Sequence, residues 1–191
     1  PIWDDAADVR VFAPQDVPRL PFRTHREMIA VWQERQQQPN APRAPLPEMR
    51  IRSYVPADAD EVIALLALIP ANRGLSDDDW QRIELRLREG FGVEVFVAET
   101  GETPSLIIGC VTFGVVRNLT YNIGMVGNMA VLPTYQRRGV GARLLEAVMR
   151  RADQLGLRQL LVDKTRANDQ ARAFYAALGF NDIDLMSLRL R

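Results

Sequence analysis

The stretch Met129–Leu145 constrains this chain more than any other. An apolar run, Met-Ala-Val-Leu, closes at Pro133. After Thr134 and Tyr135 comes a basic, glycine-containing segment, Gln136-Arg137-Arg138-Gly139-Val140-Gly141-Ala142. An amphipathic helix follows, with Val140, Leu144, Leu145, Val148, Ala152 and Leu155 on its apolar side and Gly156 as its stop. The order predicts strand, anion-binding turn, helix. The first residues of a helix carry free backbone N–H groups and the positive end of the macrodipole. Gly139 and Gly141 have no Cβ, so a bulky anion can approach the backbone. Arg137 and Arg138 add charge beside it. The expectation is a pocket for a phosphate or pyrophosphate, although glycine-rich turns of this kind also serve purely structural ends.

Two familiar phosphate loops do not fit. A dinucleotide fingerprint needs G-x-G-x-x-G, and Leu144 stands where its third glycine belongs. A P-loop needs Gly-Lys followed by Ser or Thr, which the chain lacks.

The rest of the chain divides in two. Residues 1–48 hold eight of the twelve prolines and no glycine, which predicts a largely extended appendage. One helix is expected there: Thr24 and Glu27 have capping-box spacing, and Met28, Ile29, Val31 and Trp32 follow, with an end near Gln38. The run from Pro39 to Pro47 reads as a stiff linker, and Ile2, Trp3, Val9, Val11 and Phe12 suggest docking on a surface. Residues 49–191 are expected to form one globular domain. It opens with a strand over Arg50–Val55 and a helix from Pro56 through Ile69. A second helix follows, capped by Ser76 with Asp77, Asp78 and Asp79 in its first turn, to about Arg88. A three-strand meander is predicted over Val93–Glu99, Leu106–Val116 and Ile123–Leu132, with Gly109 and Gly114 marking a bulge or a close backbone approach. Leu157–Asp163 reads as a buried parallel strand, and Asp182–Leu190 as the last strand.

Composition removes several classes of function. Lys plus Arg and Asp plus Glu stand at 24 each, so no overall field draws the chain to nucleic acid or to a membrane surface. One cysteine, Cys110, forms no intrachain disulfide, and one histidine, His25, leaves little room for a metal site or a histidine triad. The longest apolar run, Val62–Ala71, is too short for a bilayer, and no signal peptide is evident at the N-terminus. The expectation is a cytoplasmic protein with no resident metal.

A second block completes the pattern: Asn168-Asp-Gln-Ala171-Arg-Ala-Phe174-Tyr175-Ala-Ala-Leu178-Gly179-Phe180. By periodicity it is a helix with Asn168 as N-cap and Gly179 just past its end. Together, the Q-x-x-G-x-G turn after Asn-Met-Ala-Val-Leu-Pro and this N-x-x-A-x-x-F-Y-x-x-x-G-F block resemble the GNAT N-acetyltransferase superfamily. The resemblance spans residues 49–191 and is strongest from Asn128 to Phe180.

The resemblance implies an α/β (α+β) fold with a central mixed, mostly antiparallel sheet flanked by helices, and acetyl-CoA as co-substrate. Backbone groups of Met129 and Val131 would hold the pantetheine arm, with Ala130 helping to polarise the thioester. The turn Gln136, Arg137, Arg138, Gly139, Val140, Gly141 and Ala142 would take the pyrophosphate. Asn168 would contact the cofactor, and Tyr175 would sit near its sulfur as the acid for the departing thiolate. Where many relatives carry a carboxylate base, this chain has Asn128, which would bind acceptor or water instead. Glu94 and Asp163 are base candidates by strand position alone, and each reads better as structural. The acceptor would be an amine of a small molecule or a protein. A homodimer would use the last strands or the N-terminal extension. The rival reading is a non-catalytic acyl-CoA sensor with residues 1–48 as its contact arm.

Overall fold

The protein is seen here as a computed structural model that describes residues 48–90, 92–117, 119–162 and 169–181. The elements run β1 (Met49–Ser53), α1 (Ala59–Ala67), α2 (Asp77–Glu89), β2 (Val93–Thr100), β3 (Ile107–Val116), β4 (Ile123–Val131), α3 (Val140–Gln154), β5 (Leu160–Val162) and α4 (Asp169–Ala177). The strands lie in sequence order in one sheet. Neighbours from β1 to β4 are antiparallel, and β5 joins β4 in parallel. Antiparallel neighbours need only short turns, whereas a parallel pair needs a crossover, and α3 supplies it. The sheet is therefore mixed and mostly antiparallel. The N-terminal helix, the Asn168 cap, Asp163 and the strand expected over Asp182–Leu190 lie outside the described residues.

Five consecutive residues of β3, Ile107 to Val111, are buried. Because successive strand side chains point to opposite faces, both faces of the sheet must be covered. Leu144 of α3 approaches Gly109 on one face, and α1 packs on β3 and β4 with Val62 and Leu65 fully buried. Gly109 is where a side chain is forbidden: a Cβ there would lie 3.1 Å from the Ala130 carbonyl oxygen and 3.2 Å from Leu144 Cδ1. It also adjoins a bulge, since Ala98 faces Gly109 while Glu99 faces Ile107. Gly114 marks neither feature. It pairs regularly, and its nearest neighbour would be Val93 Cγ2 at 4.0 Å.

Three boundaries differ from expectation, each for a local reason. The segment Pro56–Asp58 is a 3-10 turn, and α1 starts only at Ala59. Asp58 is buried and accepts the Val55 N–H at 2.9 Å, while the Arg52 guanidinium holds both its oxygens at 2.7 and 2.9 Å. Helix α1 ends at Ala67, short of Ile69, because Ile69 precedes Pro70 and takes an extended conformation. As described, strand β5 starts at Leu160, not Leu157, and Leu160–Val162 are half-buried. Leu157 is used elsewhere: its N–H donates to the Ala152 carbonyl and that of Gly156 to Asp153, a Schellman cap with Gly156 at φ 65°.

Candidate active site

The pairing of β4 with β5 runs from Gly124–Leu160 to Val126–Val162. Just beyond it, β4 changes register against β3. Thr112 faces Gly127, but Cys110 faces Ala130, so Asn128 and Met129 together oppose Val111. This is a β-bulge, and Asn128 sits in it at φ 41°, the left-handed region where Asn is one of the few tolerated side chains. A bulge takes backbone groups out of the ladder and re-aims side chains. Asn128 is exposed, Met129 and Val131 are half-buried, and Ala130 points into the core.

Behind the bulge, Cys110 is fully buried, with its Sγ 3.9 Å from the Asn128 carbonyl oxygen. Burial pushes its thiol up to about 12, so it stays protonated and is no nucleophile.

After β4 the chain makes a 3-10 turn at Pro133–Tyr135, then the Gln136 turn. The Gln136 side chain is committed to the strand: its Nε2 donates to the Val131 carbonyl at 3.0 Å, bracing the turn. Arg137 is exposed at φ 61°, and the Arg138 guanidinium carbon lies 5.7 Å from the centre of the Tyr135 ring. Gly139 is the N-cap of α3 at φ 84°, and no side chain caps the helix. The first turn carries no acidic residue. The first intrahelical bond is from Arg143 N–H to the Gly139 carbonyl, so the N–H groups of Val140, Gly141 and Ala142 head the helix with no acceptor within it. The arrangement can receive an anion.

The second motif comes to the same place. A Cβ on Gly141 would lie 3.5 Å from Phe174 Cζ and 3.7 Å from Met129 Sδ, so the start of α3, the bulge and α4 meet there. Helix α4 also closes with a Schellman cap: Gly179, at φ 89°, donates to the Ala176 carbonyl and Phe180 to that of Tyr175. That cap accounts for much of the F-Y-x-x-x-G-F spacing. It brings Phe180 edge-on to Tyr175 at 5.5 Å, while Phe174 stands edge-on at 5.2 Å. The two rings fix the phenol's direction. Among the described residues the hydroxyl has no hydrogen-bond partner, and desolvation pushes its pKa above the usual value, so it is a protonated donor at neutral pH.

Of the residues expected at the site, Met129 meets Gly141 beside Phe174, the neighbour of Tyr175, and Gln136 is tied to Val131; Asn128 adjoins Met129 in the bulge, and the Ala130 side chain is buried in the core. Asn168 lies outside the described residues. Glu94 lies apart from this group. Arg151 of α3 donates to both its oxygens at 2.9 and 2.8 Å, on the edge of a separate concavity of about 540 Å³ over Ile51 and Phe96. Its structural reading stands. Sequence reasoning missed Tyr135 beneath Arg138, Cys110 behind the bulge, and the bulge itself. Among the described residues no group of three or more His, Cys, Asp or Glu side chains could hold a metal ion, and no helix is long and apolar enough to cross a membrane.

The last described β4–β5 pair lies beside a bulge in β4, and a helix N-terminus with no side-chain cap follows that strand, in a mixed α/β fold. Residues 59–180 match the acetyltransferase (GNAT) family, and the chain belongs to it. A 55-residue segment is 40% identical to the ribosomal protein bS18–alanine N-acetyltransferase of Escherichia coli, covering 29% of this chain and 37% of that one. The match thus spans little more than a third of that relative. Two solved structures share the fold. The ribosomal-protein-alanine N-acetyltransferase from Brucella melitensis biovar Abortus has a TM-score of 0.61 at 20% identity, over 75% of this chain and 99% of that one. A predicted acetyltransferase with acetyl-CoA from Clostridium acetobutylicum has a TM-score of 0.59 at 18% identity, over 74% and 96%.

Proposed function

We propose that the chain is an acetyl-CoA-dependent N-acetyltransferase that moves the acetyl group directly to a primary amine of a small molecule or protein. The observation that carries this reading is the meeting at Gly141 of the bulge residue Met129 with the helix that bears Tyr175. The start of α3, the bulged strand and the helix that bears the proton donor are thus neighbours. The pyrophosphate rests on the N–H groups that head α3, with Arg137 and Arg138 beside it. The pantetheine arm lies along Met129–Val131, beyond the last β4–β5 pair. The amine attacks the thioester carbonyl, whose developing charge meets backbone donors freed by the bulge. The Tyr175 phenol protonates the leaving thiolate. A covalent acetyl-cysteine step is unsupported, because Cys110 is buried and protonated.

Tyr175→Phe tests the reading. It keeps the ring between Phe174 and Phe180 and removes the proton. The expected outcome is a fall in turnover of about a hundredfold or more, with acetyl-CoA affinity retained. Unchanged turnover would remove Tyr175 as the acid. A chain that binds acetyl-CoA yet transfers to no amine would be the sensor instead. The protonated Tyr175 hydroxyl, held between two rings as a donor, argues against that alternative.

A further inference from the structure

Ile51 of β1 and Phe96 of β2 lie on the same face of the sheet, because Phe96 pairs with Ser53, two residues on from Ile51. Ala147, Arg150, Arg151 and Gln154 recur at helical spacing and form one stripe of α3. Between these two surfaces lies the concavity of about 540 Å³, at the β1 edge of the sheet. Its floor is apolar and incompletely covered: Ala147 is buried, but Ile51 and Phe96 are only half-buried. Its wall is basic. Arg52 is spent on Asp58 and Glu99, and Arg151 gives its Nε–H to Glu94. Among the described residues, the Nη groups of Arg151 donate to no acceptor, and the exposed Arg150 has no ion-pair partner. The concavity thus calls for an aromatic or aliphatic group on its floor and carboxylates along its wall.

We propose that residues 2–9 of this same chain, which lie outside the described residues, dock in the concavity, with Trp3 on the floor and Asp4, Asp5 and Asp8 toward Arg150 and Arg151. That stretch joins Ile2 and Trp3 to three acids and no base. The helix expected around Met28 and Trp32 is apolar too, but Arg26 and Arg35 balance Glu27 and Glu34, so charge does not direct it here. The chain reaches. Residues 1–48 lead into β1, and the concavity lies at the far end of that five-residue strand, about 17 Å away. The proline-rich run from Pro39 to Pro47 alone spans about 28 Å when extended, and residues 10–38 add slack. Tethering holds the segment at a local concentration on the order of millimolar, so a contact with a Kd of about 1 mM keeps it docked half of the time or more. A separate partner of the same chemistry at micromolar concentration would be almost wholly unbound, which favours the tethered occupant. Docking does not depend on acetyl transfer.

The test uses the full chain, whose single cysteine, Cys110, is fully buried and protonated and takes no part in surface thiol chemistry. Ala6→Cys is combined with Gln154→Cys at the concavity or, as a control, with Gln81→Cys on α2; Gln154 and Gln81 are both exposed. Disulfide formation is followed under mild oxidation at micromolar protein. The expected result is a disulfide within one chain that forms at least about tenfold faster with Gln154→Cys than with Gln81→Cys, at a rate independent of protein concentration. Adding Arg150→Glu to the first pair should slow it by about threefold or more, because attraction becomes repulsion. Equal rates at the two positions, or no disulfide at either, would overturn the inference. A disulfide between chains, with a rate that rises with protein concentration, would replace the tethered segment by a second copy and overturn it as well. A rate that Arg150→Glu leaves unchanged would remove the charge-directed fit on which the choice of residues 2–9 stands.

Discussion

Two helices of this protein begin in opposite ways. Every helix starts with backbone N–H groups that have no partner within it. Helix α2 satisfies its own. Ser76, in an extended conformation, accepts the Asp79 N–H at 3.3 Å, and the Asp79 carboxylate reaches back to the Ser76 N–H at 3.0 Å. Three acids complement the dipole, and Arg82 holds Asp79 at 2.8 Å. Helix α3 does none of this. Its N-cap is Gly139 in a left-handed conformation, its first turn has no acid, and two arginines precede it. Both ends carry the same electrostatic liability. One resolves it within the chain, and the other leaves it for something that arrives from solution. Acidic residues at a helix start therefore argue for a closed structural end, while their absence beside glycine and arginine argues for a site.

The largest effect should come from making α3 resemble α2. Ala142→Glu places a carboxylate in the first turn, where it favours the helix by about 0.3–1 kcal/mol. It also puts a negative charge where the pyrophosphate would sit, at an expected cost of about 3 kcal/mol in binding. Calorimetry should show acetyl-CoA affinity falling by about a hundredfold, while the melting temperature holds or rises. Affinity retained in this variant would mean that the start of α3 is not the anion site, and the contrast would lose its functional meaning.

Residues close in sequence made both helix starts legible beforehand. Ser76 and Asp79 are three apart, and the turn from Gln136 to Ala142 is contiguous, so each pattern carries its own geometry. The bulge was not legible. It is a mismatch between the registers of β3 and β4, and neither strand's sequence alone records how many residues of one oppose the other. Strand β5 was drawn too long because Leu157 looks like any strand leucine, yet its N–H closes the cap of α3. In the second motif, Gly179 was readable as a helix stop. That its cap also seats Phe180 against Tyr175 depends on two rings meeting in space.

The converse change is smaller. Ser76→Ala opens the capped end of α2 and should cost about 1 kcal/mol, a few degrees in melting temperature for a domain of this size. Acetyl-CoA affinity should not change, since α2 packs on α1 and away from the turn. The cap also has an acid signature. The Arg82 hydrogen bond, with those from Ser76, lowers the Asp79 pKa to about 2. A carboxylate depressed in the folded state stabilises it above the unfolded pKa, about 3.9, and loses that contribution as pH falls toward the folded value. The stability gap between wild type and Ser76→Ala should therefore narrow between about pH 4 and pH 2. A gap that is flat across this window would mean the Ser76 hydroxyl acts by accepting the Asp79 N–H and not by donating to the Asp79 carboxylate at 2.7 Å.

The smallest expected effect concerns what holds the open end ready. A surface arginine that is only half-buried loses side-chain freedom on meeting a phosphate, and that loss weakens binding unless it is incurred beforehand. The Tyr135 ring lies under the Arg138 guanidinium at 5.7 Å and restrains it before any ligand arrives. Such contacts are worth about 0.5–1 kcal/mol at exposed sites. Tyr135→Leu should therefore weaken acetyl-CoA binding about two- to fivefold, and Tyr135→Phe, which keeps the ring face, should restore it. The loss should shrink at high salt, where the Arg138–phosphate attraction is screened. If Phe and Leu weaken binding equally, the Tyr135 hydroxyl rather than its ring matters, and the turn is organised through a hydrogen bond instead of through Arg138.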